Sequence, residues 1–230
     1  MINKPNNVLI FVAHQDDETI GSGGLIKYLS ENNSIVNVVI ISNGDTGINQ
    51  ESDENKNSII KLRNKEVKEV KNILGFNELI FLDVPCQNIH QDDQILFHKI
   101  IKIIRKYKPD IVITHSPDDK HKDHRNTSNL VVDACWKSSE NIHIELGQIH
   151  KVKDVWGMEV VDINDRVDFV IDISRYYDSK IAAIKVYESQ NTIIGGIENF
   201  IKGMALVRGY QIGVKYGEGY KRLSSIPISI

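Results

Sequence analysis

The sequence is short of cysteine, has no basic surplus and carries no long apolar run, and each shortage closes off a class of protein. Two cysteines among 230 residues, Cys86 and Cys135, make neither a disulfide framework nor a cysteine-rich zinc site. With 28 Lys and Arg against 31 Asp and Glu, the net charge is −3. The basic excess of a nucleic-acid binder is missing. No run approaches the ~18 apolar residues that a membrane span needs. No charged leader and apolar core follow Met1, so no secretory signal is read and a cytoplasmic protein is expected. Linkers rich in Pro, Gly and Ser, internal repeats and low-complexity segments are also absent. Hydrophobic residues at 41% and charged residues at 26% are ordinary globular values. One domain over 1–230 is expected, its C-terminal third completing the pocket.

What is present is an alternation of strand and helix patterns. Val8–Ala13, Ile35–Ser42, Leu79–Leu82 and Asp110–Thr114 are short, β-branched, apolar runs that read as buried strands. Between them, Gly21–Ser30, Ser58–Leu74 and Gln94–Tyr107 show helical spacing, the last with Ile95, Ile100, Ile103 and Ile104 inward, and Asp123–Lys137 reads as a further helix. Asn49–Asn57 is polar without apolar period and reads as a loop. Ile149–Val161 and Val167–Ile173 read as strands, Ser174–Glu188 and Ile197–Arg208 as helices. The alternation predicts an α/β, Rossmann-like fold: a mostly parallel sheet with helices on both faces.

In open α/β sheets, ligands bind beyond the carboxyl ends of the strands. Two polar clusters fall there. His14-Gln15-Asp16-Asp17-Glu18 follows the first strand, and the stretch from His115 to His124 follows the fourth with three of the eight histidines. Any one of these residues has an ordinary use. Asp16 or Asp17 can cap the next helix, and Pro117-Asp118 is turn chemistry. Three acids together at one strand end are electrostatically unfavourable unless a cation sits among them. Zinc accepts imidazole and carboxylate, and a catalytic site uses three protein ligands with one open position. A His and an Asp from the first cluster with a His from the second complete such a set. A further carboxylate can then act as base, and a further histidine can polarise a carbonyl and protonate a leaving amine.

At these residues the sequence resembles the PIG-L/LmbE-like family of metal-dependent N-deacetylases. The family's A-H-P-D-D-E motif is matched by Ala13–Glu18, and its H-x-D-H motif by His121–His124. Leu62-Arg63-Asn64-Lys65-Glu66 resembles the family's arginine helix, Tyr187–Gln190 its S-Q signature, and Val214–Tyr220 its terminal segment. The resemblance implies a zinc cofactor, with another divalent metal as an alternative, held by His14, Asp17 and His124. It implies Asp16 as the general base, His121 as oxyanion stabiliser and acid, and Asp123 as the group that orients or tunes His121. Arg63 and, more weakly, Asp45 are implied as substrate-binding. The implied reaction removes an N-acyl group from a small amino-sugar substrate such as an N-acetylglucosamine compound. One departure stands out: Gln15 replaces the motif's proline, which would have fixed the loop's φ.

Other readings remain open at this point. A metal phosphoesterase would need cations near the motifs, and Lys120, Lys122 and Arg125 are there. A non-catalytic sugar-binding module would have lost a catalytic position. A nucleotide site would use Gly21-Ser22-Gly23-Gly24, whose spacing is wrong. The remaining histidines (His90, His98, His143, His150) are expected outside the site, and both cysteines buried. Trp136 and Trp156 are read as packing residues, with Trp156 also a candidate sugar contact.

Overall fold

The strand nearest the N-terminus sorts the core by parity. In β1 (Asn7–Val12), Val8, Ile10 and Val12 enter one hydrophobic cluster while Leu9 and Phe11 enter another. A strand buried on both faces lies inside a sheet covered by helices on each side. The computed structural model, which describes residues 4–46, 53–190 and 195–224, shows that arrangement. The other strands are β2 (Ile35–Ser42), β3 (Glu78–Val84), β4 (Ile111–His115), β5 (Asp154–Met158), β6 (Phe169–Asp172) and β7 (Gly217–Arg222). Their order is β3-β2-β1-β4-β5-β7-β6. Strands β3 to β5 in that order run parallel, and β7 runs antiparallel to both β5 and β6.

Helices α1 (Asp17–Glu31), α2 (Asp53–Leu74), α5 (Tyr177–Ile184) and α6 (Ile197–Ile212) bury their apolar residues in the first cluster. Helices α3 (Gln94–Tyr107) and α4 (Lys122–Ser138) bury theirs in the second. The fold is therefore α/β with a mostly parallel sheet. The chain leaves β1 toward β2 and β3 on one side, then returns to β4 on the other. The two polar clusters emerge at this switch point, from the carboxyl ends of neighbouring strands.

Several boundaries differ from the sequence reading. The buried stripe of α3 is Leu96, Ile100, Ile101 and Ile104, whereas Ile95 is 72% exposed. The helix starts at the Asp93 cap, whose carboxylate accepts from the amides of Ile95 and Leu96, and that start sets the phase. Residues 53–57 of the expected loop belong to α2, and 49–52 lie outside the described residues. Trp136 is 63% exposed on α4, not packed inside. Trp156 is core: its indole N–H donates to Asp154 at 2.8 Å and its ring meets Phe169 edge-on, so it is no sugar platform.

The glycines after the first cluster serve packing. A Cβ on Gly21 would come within 2.6 Å of Met158 Sδ, and one on Gly24 within 2.6 Å of Ile173. Helix α1 breaks at Ser22, with φ −140° and ψ 15°. The break frees the amides of Gly24 and Leu25, and both donate to the Glu218 carboxylate at 2.9 Å. No phosphate is needed to satisfy them.

Candidate metal centre and active site

The loop from Ala13 to Asp16 is held in one shape from several directions. The His14 amide donates to Asp17 Oδ2 at 2.7 Å. Asp16 sits at φ 113°, a conformation that costs a non-glycine residue about 1–3 kcal/mol. Its carbonyl accepts from the amides of Thr19 and Ile20 and so starts α1, while its side chain makes no cap. The carboxylate is thereby left to other work. Glu18 is fully buried and accepts from the Tyr187 hydroxyl at 2.5 Å and the Thr19 hydroxyl at 2.6 Å. Burial pushes its carboxyl above the ordinary range. The Gln15 amide donates to the Asn43 carbonyl at 3.2 Å and to Asn64 Oδ1 at 3.1 Å, and its own carbonyl accepts from Arg63 at 2.9 Å. These bonds supply the restraint that a proline ring would have given.

Three side chains from the two clusters converge, two through one imidazole nitrogen each and Asp17 through a different carboxylate oxygen toward each histidine. His14 Nδ1 lies 3.2 Å from His124 Nε2. Asp17 completes the set, with Oδ2 at 3.3 Å from His14 Nδ1 and Oδ1 at 3.3 Å from His124 Nε2. Ligands ~2.0–2.1 Å from a tetrahedral zinc stand about 3.3–3.4 Å apart. The donor set and its spacing therefore fit a divalent metal. The far nitrogen of each imidazole faces a carboxylate. His14 Nε2 is 3.2 Å from Asp123 Oδ2, and His124 Nδ1 is 3.1 Å from Asp119 Oδ2. Metal-bound histidines are commonly braced in this way.

Two further histidines stand close. The His121 ring is 4.8 Å from that of His14 and 4.6 Å from that of His124. Its Nδ1 accepts from the Asp123 amide at 3.2 Å, so it caps α4. His115 stacks on His124 at 4.0 Å. His14, His121 and His124 form one grouping able to hold a metal, and Asp17, His115 and His124 form another. His115 Nε2, however, already accepts from the Ala13 amide at 2.8 Å. That bond occupies the lone pair a metal would require.

The electrostatics show where positive charge is wanted. Burial opposes a charge on His14, but hydrogen bonds that the imidazole donates to Asp123 and Asp17 outweigh it and hold the imidazole up at about 10. Burial likewise opposes a charge on His124, and Asp17 and Asp119 raise it to about 9. Asp17 stays well below the usual carboxylate range despite its burial, chiefly because of His124. Burial, then the charge of Asp17, pushes Asp16 up to about 7, although Arg63 pulls the other way. Burial and then the neighbouring His124 lower His121. The carboxylates around His14 and His124 favour positive charge there, which a cation held between them would supply.

A cavity of about 300 Å³ opens over this cluster, lined by His14, Asp16, Asp17, Ile20, Thr46, Arg63, His121, His124, Val160, Val161 and Gln190. That volume is at the lower end for small-molecule sites. A larger cavity of about 370 Å³, between Gln91, Pro117, Asn129 and Leu223, has no histidine in its lining. Convergent chemistry assigns the site to the smaller one.

The structure brings His14, Asp16, Asp17, Arg63, His121, Asp123 and His124 together and leaves Asp45 out of the cavity lining. The Asp123 carboxylate bonds His14 and the Gln87 amide; toward His121 it acts through its charge, and its backbone N–H donates to the His121 ring. Asp45 accepts from the Cys86 amide at 2.9 Å, and Thr46 takes the place in the cavity wall. Arg63 lines the cavity, but its guanidinium also donates to the Gln15 carbonyl. Sequence reasoning passed over Asp119 and left His115 unassigned. Gln190 was read only as part of a motif. Glu66 accepts from both the amide and the hydroxyl of Ser189, which sets Gln190 at the wall.

The chain is similar in sequence and in fold to known deacetylases. The chain is 25% identical over 245 residues to the diacetylchitobiose deacetylase of Thermococcus kodakarensis, covering 100% of this chain and 89% of that protein. It is 28% identical over 188 residues to a probable N-acetyl-alpha-D-glucosaminyl L-malate deacetylase 2 of Bacillus cereus, covering 80% and 83%. The structure of N,N'-diacetylchitobiose deacetylase from Pyrococcus horikoshii, complexed with an inhibitor, superposes with a TM-score of 0.87 at 26% identity, covering 98% of this chain and 88% of that one. The PIG-L family model, described as GlcNAc-PI de-N-acetylase, matches residues 9–135, both polar clusters included. More than half of the sequence lies in that match, and the chain belongs to the PIG-L family.

Proposed function

We propose that this protein is a zinc-dependent N-deacetylase of an N-acetylglucosamine-containing compound, releasing acetate and a free amine. The observation that carries the reading is the convergence of His14 Nδ1, His124 Nε2 and Asp17, set beneath a cavity that also presents Asp16 and His121. These three residues would hold the metal, and iron or another divalent ion is an alternative occupant. Bound there, the metal supplies Lewis-acid charge that acidifies water and polarises the acyl carbonyl.

The chain's own groups do the rest. Asp16 is buried and its carboxyl is raised to about 7, so it takes a proton near neutral pH. A nearby cation would lower that value and favour the carboxylate. Asp16 removes a proton from the attacking water as oxygen adds to the amide carbon. His121 faces the developing oxyanion from the cavity wall. Asp16 or His121 then returns a proton to nitrogen, and the C–N bond breaks. Ile20, Val160 and Val161 give the wall an apolar side suited to an acetyl methyl group. We take residues 1–230 as one domain, supported by a single sheet whose strand β7 is tied to α1 through Glu218.

Two of the three cations that the phosphoesterase reading called on are engaged elsewhere. Arg125 donates to the carbonyls of Asp119 and Lys120, and Lys120 pairs with Asp162. The deciding measurement is acetate release from a panel of N-acetylated sugars and their conjugates, with metal-loaded and chelator-stripped enzyme. Metal-dependent acetate is expected. Phosphate from sugar phosphates in place of acetate would overturn the reading.

A further inference from the structure

Asp119 is a buried carboxylate, 2% exposed, that belongs to neither family motif. Its neighbour Asp118 is exposed and pairs with Lys221 at the surface. Asp119 instead turns inward and meets three groups. Oδ1 accepts from the His121 amide at 2.8 Å. Oδ2 accepts from the Val161 amide at 3.2 Å and stands 3.1 Å from His124 Nδ1. The last contact is within hydrogen-bond distance though not in line with the ring N–H.

Resting on the metal site proposed above, we infer that Asp119 is the positioning residue of the reactive cluster. It fixes His124 with the proton on Nδ1, so that Nε2 presents its lone pair to the His14–Asp17 edge. The same carboxylate anchors the backbone of His121 and the cavity wall at Val161. One side chain thus sets the mutual placement of a metal ligand, the oxyanion-facing histidine and the substrate wall. Without it, the His124 ring is free to rotate or to carry its proton on Nε2, which would aim an N–H at the metal. A role confined to shaping the loop would need only the His121 contact, which is a local turn two residues long. The contacts to His124 and Val161 go beyond that.

The test reads metal affinity and metallated atom. Asp119→Ala and Asp119→Asn are titrated with Zn²⁺ against a competing chelator, with Asp118→Asn as control and circular dichroism confirming the fold. Affinity for Asp119→Ala is expected to fall about 10–100-fold, the usual effect of removing such a brace. Asp118→Asn should match wild type. A folded Asp119→Ala that binds Zn²⁺ within twofold of wild type overturns the inference. The wild-type protein gives an independent answer if the variants do not fold. In Cd²⁺-loaded, ¹⁵N-labelled enzyme, cadmium should couple to Nε2 of His124, with Nδ1 protonated. Coupling to His124 Nδ1 overturns the role of Asp119 alone. Coupling to neither His14 nor His124 overturns the metal site itself.

Discussion

The two parts of the sheet divide the labour between them. Every candidate ligand, base and acid lies before residue 125, on the loops that leave the parallel strands β1 and β4 or in the first turn of the helices that follow. The part after residue 150, which adds the antiparallel strands, contributes none of them. Its contribution is support. Tyr187 holds Glu18, the Val161 amide holds Asp119, and Glu218 caps the second half of α1 while pairing with buried Lys180 at 2.7 Å. Val160, Val161 and Gln190 close the cavity wall. Reactive groups can be neighbours in sequence because two loops suffice to gather them. Holding them still takes contacts from far along the chain.

This division makes contrasting demands on mutants. The largest effect is expected for His124→Ala, which leaves two ligands. Stoichiometric zinc and acetate release should both be lost while circular dichroism stays native. Retention of one zinc per chain would break the assignment. Asp16→Asn should keep its zinc and lose about 10²–10⁴-fold in kcat, the range of a general base. Wild-type turnover from a purified sample would remove Asp16 from that role. In the later region the signature should reverse. Glu218→Ala strands the Lys180 ammonium in the interior and should lower unfolding free energy by about 3–5 kcal/mol. Its zinc stoichiometry when folded should be unchanged, measured by denaturant unfolding and metal analysis. Tyr187→Phe removes one hydrogen bond to a buried carboxyl and should cost about 1–3 kcal/mol with little change in KM. A Tyr187→Phe protein with normal stability but no activity would erase the contrast between the two parts.

The convergence of His14, Asp17 and His124 was legible because these residues sit in two dense, sequence-local clusters at strand ends. The sheet class was legible from the alternation of apolar runs with helical periods. Which carboxylate faces which imidazole was not. Asp123 is adjacent to His124 and two residues from His121, yet its carboxylate reaches His14, 109 residues away. Spacing locates a residue on a loop but does not fix the direction of its side chain. Strand β7 was read only as a family segment, since Gly217-Glu218-Gly219-Tyr220 has no apolar alternation. It becomes a strand because β5 and β6 hold it on both sides, with Glu218 buried against a salt-bridge partner. The phase of α3 turned on one capping carboxylate, a local bond that apolar counting does not register.

The φ of 113° at Asp16 carries a consequence for heating. A conformation that the isolated backbone resists survives only while Thr19, Ile20, Glu18 and Arg63 all keep their grip on the loop. Relaxation of that one torsion would turn the Asp16 carboxylate away from the cavity, and with it the base proposed above. Activity should therefore be lost on warming before the fold itself gives way, which a comparison of thermal inactivation with circular-dichroism melting checks.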